Sequence, residues 1–166
     1  RVASPLVTVE DEGRRPRGLG ARPFAGEGLA TRTNVPIEDG VLRHYLCDSY
    51  SARRIGARPT GSARRGVAGG PSVGAGDLHL RPGELSPESI VGDVSRGLLV
   101  TDLIGFGVNL VTGDYSQGAV GHWIEGGRVV HPVYEVTIAG NLATMLQDID
   151  AVGNDLVFRG SVSAPT

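Results

Sequence analysis

The sequence predicts a β-dominated α+β domain, a mainly antiparallel sheet with two or three short helices. Three observations carry that prediction. Glycine is very frequent, 26 of 166 residues, and aromatic residues make up only 5%, a composition of many turns and few helical stripes. Two strand-like segments each fold back on a two-residue turn, Asp39-Gly40 and Gly126-Gly127. Strands outnumber helices, and they lack the regular βαβ rhythm of a parallel sheet. At 166 residues the chain has the size of one domain, large enough for a real core.

The elements follow in order. Ser4–Asp11 reads as a short strand, and Glu12–Gly28 as a Gly/Pro/Arg loop without periodicity. Thr31–Ser49 reads as a hairpin, because Asp39-Gly40 supplies the positive φ angles of a type I′ turn. Tyr50–Gly56 then makes one or two helical turns stopped by glycine. Gly56–Gly76 is Gly-rich with no apolar period, which predicts a surface loop. Ser86 can cap a helix, Pro87 suits its first position, and Gly97 reads as its C-terminal stop. The apolar run Leu98–Ile104 predicts a buried strand, in which Asp102 would cap a turn or pair with an arginine.

Ala119–Glu125 and Arg128–Ile138 form the clearest hairpin. In its second arm Val130, Tyr134, Val136 and Ile138 share a face by the two-residue period. Pro132 cannot donate to a ladder, so that arm is predicted to be an edge or bulged, with exposed apolar surface near it. Asn141 can cap a helix whose apolar seam is Leu142, Met145, Leu146 and Ile149. Leu156, Phe158 and Val162 alternate as a last strand.

No apolar run approaches the roughly 18 residues of a membrane helix, and no charged-then-apolar leader opens the chain. The only methionine is Met145 and the sequence opens on Arg1, so a preceding segment is expected. Cys47 is the sole cysteine, which suits a reducing cytoplasm and excludes an internal disulfide or a Cys-only zinc site. Residues 1–83 carry 13 arginines against 8 acids, and residues 84–166 carry 3 against 10. The basic half could face peptide carboxylates or nucleic acid. It lacks the interleaved aromatics of a single-strand binder, which argues against nucleic acid.

Chemistry-bearing residues are dispersed. His44, His79, His122 and His131 fall in no H-E-x-x-H pattern, and no two are three to five residues apart. Cys47 reads as a buried structural thiol. The arginines 53, 54, 58, 64 and 65 could clamp a peptide carboxylate or a phosphate, or simply be solvated. The densest polar segment is Gly107–Ala119. Its Asn109, Thr112, Asp114, Tyr115 and Ser116 can line a substrate cleft, or they can bond the backbone of their own turn. No residue of the chain is assigned a catalytic role.

Three blocks carry a resemblance. They are "GLLVTDLIGFGVNLVTGDYSQGAVGHWIEGGRVVHPVYEVTIAG" (97–140), "TRTNVPIEDGVLRHYLCDSYSARRIG" (31–56) and "NLATMLQDIDAVGNDLVFRGSVSAPT" (141–166). In order and spacing they resemble the C-terminal domain of the TldD/PmbA family, once described as modulators of DNA gyrase and understood as subunits of an intracellular metalloprotease. The resemblance implies that residues 1–166 are one such domain and that an N-terminal domain precedes it. It implies a cytoplasmic peptidase of two subunits, with a TldD-like partner or a second copy, acting on unfolded or small peptides. In the family the TldD-type subunit takes zinc ligands from an H-E-x-x-x-H helix in its N-terminal half and from a late cysteine. Here "VGND" (152–155) is followed by Ser161 and Ser163 and no cysteine. A serine hydroxyl is a poor zinc ligand beside a thiolate. The resemblance therefore implies the PmbA (TldE) branch, with no cofactor in this chain and zinc in the partner. Two alternatives stay open. One is an interaction module of the gyrase-modulator type. The other is part of a TldD-like enzyme whose metal motif lies upstream.

Overall fold

A computed structural model describes residues 1–166. Its strands form three mainly antiparallel sheets, with three short helices between them. The first sheet is built from β1 (Val9–Glu12), β2 (Thr33–Glu38) and β3 (Val41–Leu42). The β2–β3 turn has Asp39 at φ 48° and Gly40 at φ 71°, the left-handed pair that a type I′ turn requires. The return arm stops at Leu42, so His44, Tyr45 and Cys47 lie in an irregular segment, not in the strand expected there. Asp48 caps α1 (Ser49–Arg54) by accepting from the Ser51 N–H at 2.7 Å, and Gly56 (φ 66°) follows the helix.

Gly56–Gly76 corrects the expectation of a plain surface loop. It contains the small hairpin β4 (Ala63–Arg64) and β5 (Ser72–Val73), and it buries Thr60, Ser62 and Ala63. Composition hid these residues because they are small and are held by hydrogen bonds, not by an apolar period. β6 (Leu78–Leu80) joins the first sheet beside β1, and β10 (Val162–Ser163) pairs with it in parallel, giving the order β10-β6-β1-β2-β3. The predicted last strand thus shrinks to its end. Phe158 packs edge-on against His79 and under Arg15 instead.

Helix α2 (Pro87–Asp93) starts where Ser86 and Pro87 predict, with the Ser89 N–H bonded to Ser86 Oγ at 3.2 Å. It ends at Val94, so Gly97 belongs to the next strand and is no cap. The third sheet is a meander of β7 (Arg96–Ile104), β8 (Asp114–Glu125) and β9 (Arg128–Asn141). Asn141 then caps α3 (Leu142–Gln147) through the Ala143 N–H.

Two expectations about this sheet fail. The run Leu98–Ile104 is not buried: Val100, Leu103 and Ile104 are exposed, and so is Asp102, which makes no ion pair. The proposed common face of β9 is also broken. Val133 lies opposite Gly121 and Val136 opposite Ala119, so Tyr134 and Glu135 together face Val120, with Glu135 at φ 57°. That bulge reverses the alternation, leaving Val130 and Tyr134 exposed while Val136 and Ile138 are half-buried.

The core is thin. Its buried apolar residues are Ala3, Val7, Ala25, Cys47, Ala52, Ala63, Ala119, Ile124 and Val152, and they are matched by buried polar ones such as Asp11, Asn34, Thr60, Asp77 and His79. The accessible surface is 10552 Å². A self-contained monomer of 17.3 kDa exposes about 7,800 Å². The difference, about 2,700 Å², lies in the range that a large protein–protein or domain–domain contact buries. No helix is long and apolar enough to cross a membrane.

Candidate functional site

The five polar residues singled out by sequence do come close together, although three of them open β8 and are not in the loop. Asn109, Asp114, Tyr115 and Ser116 line a cavity of about 310 Å³ with Phe106, Gly107 and Val108; Thr112 stands outside it. Close approach builds this corner. A side-chain carbon on Gly107 would lie 1.4 Å from the Ser116 carbonyl oxygen, so only glycine lets the chain cross there, and Ser116 N–H donates to the Gly107 carbonyl at 2.7 Å.

Most of the polar atoms are already engaged. The N–H groups of Val111 and Thr112 donate to Asn109 Oδ1 at 2.9 and 3.3 Å. Thr112 Oγ1 donates to Asp114 Oδ2 at 2.6 Å, and Asn141 Nδ2 donates to the Thr112 carbonyl at 3.0 Å. The Tyr115 hydroxyl donates to Gln117 Oε1 at 2.8 Å, and Gln117 Nε2 donates to the Gly105 carbonyl at 3.0 Å. The side chain of Ser116 makes no such bond. The turn chemistry admitted by the sequence is therefore present, and its effect is to hold the loop in one shape.

What the loop presents is apolar, and sequence reading missed it. Phe106, Leu110 and Val111 have relative exposures of 107%, 88% and 94%. The available signal was the alternation of these residues with the polar ones. Turns do not by themselves call for Phe, Leu or Val at their tips.

The tip continues an open strand edge. In the order β7-β8-β9 both β7 and β9 have an unpaired side. On β9 that side is blunted by Pro132 and by the bulge at Glu135. β7 has no proline and runs for nine residues with one irregularity at Thr101, so its outer N–H and C=O groups form the better template for another strand.

A family model described as the PmbA/TldA metallopeptidase C-terminal domain matches residues 1–166. This chain belongs to that family. It is similar to the metalloprotease PmbA of Escherichia coli O157:H7, with 41% identity over 156 residues that cover 94% of this chain and 33% of that protein. A TldD homolog from Buchnera aphidicola is 28% identical over 158 residues, 94% of this chain and 33% of its own length. Among solved structures, TldE from Thermococcus kodakarensis superposes with a TM-score of 0.89 at 30% identity, covering 99% of this chain and 38% of that one. A Thermotoga maritima protein described as a modulator of a DNA gyrase also gives 0.89 at 36% identity, over 99% and 38% of the two chains. The chain thus spans about a third of the length of the curated relatives it matches.

The metalloprotease name raises the question whether this domain of the family can hold a metal. Its residues do not fit one. No three His, Cys, Asp or Glu side chains converge. Cys47 is buried with Sγ 3.5 Å from the Tyr45 carbonyl, His79 is buried beside Glu10 at 3.5 Å, and the C-terminal segment offers serines. A zinc site needs about three convergent N, S or O ligands and an open position.

Proposed function

We propose that this chain is the C-terminal domain of a PmbA/TldE-like subunit, the non-zinc-binding half of a two-subunit cytoplasmic peptidase. A TldD-like partner supplies zinc, and this domain completes the cleft. An extended peptide pairs with the outer edge of β7 beside the Gly107–Ala119 loop, whose Asn109, Thr112, Asp114, Tyr115 and Ser116 set its register. The observation that carries the reading is the unblocked β7 edge ending in an exposed apolar tip. Main-chain pairing of this kind tolerates many peptide sequences, which suits unfolded or small peptides. The higher identity to PmbA than to the TldD homolog, and the serines in place of a late thiolate, support the branch.

The test is co-purification of the full-length protein followed by a peptide-cleavage assay. A zinc-bearing TldD-like partner is expected, or a second copy of this protein if the assembly is a homodimer. Recovery of gyrase with no zinc-bearing partner would favour the interaction-module reading instead. Within the assembled complex, Asp114→Asn and Tyr115→Phe are each expected to lower peptide turnover about tenfold, about 1.4 kcal/mol of transition-state stabilisation. Stability should move by no more than about 1.5 kcal/mol, the net worth of the one loop hydrogen bond that each change perturbs. Turnover that is unchanged, or lost only with melting, would return the loop to a purely structural role.

A further inference from the structure

A second concavity lies away from the β7 edge and is built on the first sheet. β2 forms one wall. The chain then passes through the irregular segment 43–48 and α1, and returns at Ala57–Thr60. The return is pinned: Thr60 N–H donates to the Cys47 carbonyl at 3.1 Å, Cys47 N–H donates to Thr60 Oγ1 at 2.7 Å, and buried Asn34 Nδ2 donates to the Thr60 carbonyl at 3.3 Å. This pinned ring borders an open groove of about 680 Å³ whose lining includes Arg32, Arg43, His44 and Arg58. No aspartate or glutamate lines it.

The cations differ in how far they are committed. Arg43 Nε is bonded to Glu38 at 3.0 Å. Arg32 donates from Nε to Asn34 Oδ1 at 3.3 Å and from Nη2 to the Pro59 carbonyl at 2.9 Å, which fixes the plane of its guanidinium and leaves three of its five N–H donors free. Arg58 enters no ion pair and no hydrogen bond. The apolar members Leu42, Tyr45 and Ile55 are exposed around these cations. Arg32 and Arg58 also line an adjoining concavity of about 310 Å³, where Leu29 supplies the apolar wall.

We infer that this groove is a carboxylate-binding site, one that takes a peptide carrying a carboxylate flanked by apolar side chains. Two arginines without acidic partners, one with its fork held in place, suit the planar two-oxygen geometry of a carboxylate. Apolar walls on both sides suit the neighbouring residues of an extended peptide. A nucleic-acid ligand would want a run of stacking aromatics along the groove, and the cavity offers only Tyr45 and the neighbouring His44 ring. The inference does not depend on strand pairing at β7. It gives the free Arg58 of the basic cluster a use, and it would make the protein prefer acidic or carboxyl-terminal peptide segments.

The experiment uses the full-length protein and three short fluorescent peptides. The first has one glutamate between two leucines with both ends blocked, the second replaces that glutamate by glutamine, and the third is the glutamine peptide with a free carboxyl end. The first should bind at least about tenfold more tightly than the second, the gain of a charge-assisted pair. Recovery of binding by the third would assign the site to peptide ends, and its failure to side-chain carboxylates. Arg58→Ala should weaken binding of the first at least about tenfold with an unchanged melting temperature, since Arg58 holds nothing within the chain. Arg58→Lys should restore part of it. Equal binding of the glutamate and glutamine peptides would overturn the inference. So would binding indifferent to Arg58→Ala, or direct binding of inorganic phosphate with no response to the peptides.

Discussion

Replacing Asp11 by alanine is expected to destabilise the folded protein by about 2–3 kcal/mol, because it leaves the buried Gly76 N–H without its acceptor and takes one partner from Asn34. Asp11 is 2% exposed on β1. Its Oδ1 accepts the Gly76 N–H at 2.5 Å, and its Oδ2 faces Asn34 Nδ2 at 3.5 Å. It thereby ties the segment after β5 to the first sheet, next to Arg64, which itself holds the Ala75 and Gly76 carbonyls at 2.6 and 3.1 Å. Burial raises the Asp11 carboxyl above its ordinary value, opposed by the Gly76 and Asn34 hydrogen bonds and then by Arg64 and Arg22.

The sign of the pH effect follows. A carboxyl whose folded pKa is raised binds its proton more tightly in the folded state. Its contribution to stability is therefore greatest in acid, and it declines as pH rises from the unfolded value near 3.9 through the folded one. Asp11→Asn keeps an acceptor for Gly76 without the charge. Denaturant titration of both proteins across that window should show the wild type losing ground to Asp11→Asn as pH rises. A flat difference would contradict the assignment, and a loss of under about 1 kcal/mol for Asp11→Ala would show that the contacts of Asp11 are not structural.

The parts of this fold legible in the sequence are those with local chemistry. Asp39-Gly40 and Gly126-Gly127 demand positive φ, Ser86 and Asn141 offer caps and Pro87 suits a first helical position, so turns and helix starts fall where expected. The parts that escaped are set from outside the segment. The apolar character of Leu98–Ile104 marks a strand, but burial does not follow from it, and Val100, Leu103 and Ile104 are exposed. The bulge at Glu135 reverses a face without any glycine or proline at that residue. Phe158 looked like a strand residue and instead fills the space between Arg15 and His79. At the candidate site the polar residues were readable because Asn, Asp, Thr and Ser are turn-formers. The exposed Phe106, Leu110 and Val111 were not, since an isolated sequence marks such residues as interior.

Those three apolar residues carry the second large expectation. Burying each against a partner would contribute about 1.5–3 kcal/mol. Phe106→Ala, Leu110→Ala and Val111→Ala together should therefore weaken association at least about a thousandfold. Thermal stability of the 1–166 domain should hold or rise, because all three are exposed in it and support nothing within it. Sedimentation of the mixed subunits reads the first quantity and calorimetry the second. Unchanged association would place the covered surface elsewhere, and the outer face of β7 would be the next region to substitute.

On the proposed reading, the full-length protein is the half of a peptidase that shapes a cleft without holding the metal. Zinc analysis of the purified full-length protein, run beside a peptide-cleavage assay with and without a TldD-like partner, tests it most directly. The expected result is no stoichiometric zinc and no cleavage alone, with activity on adding the partner and loss of that activity on chelation. Tightly bound zinc, or chelator-sensitive cleavage by this protein alone, would contradict the claim.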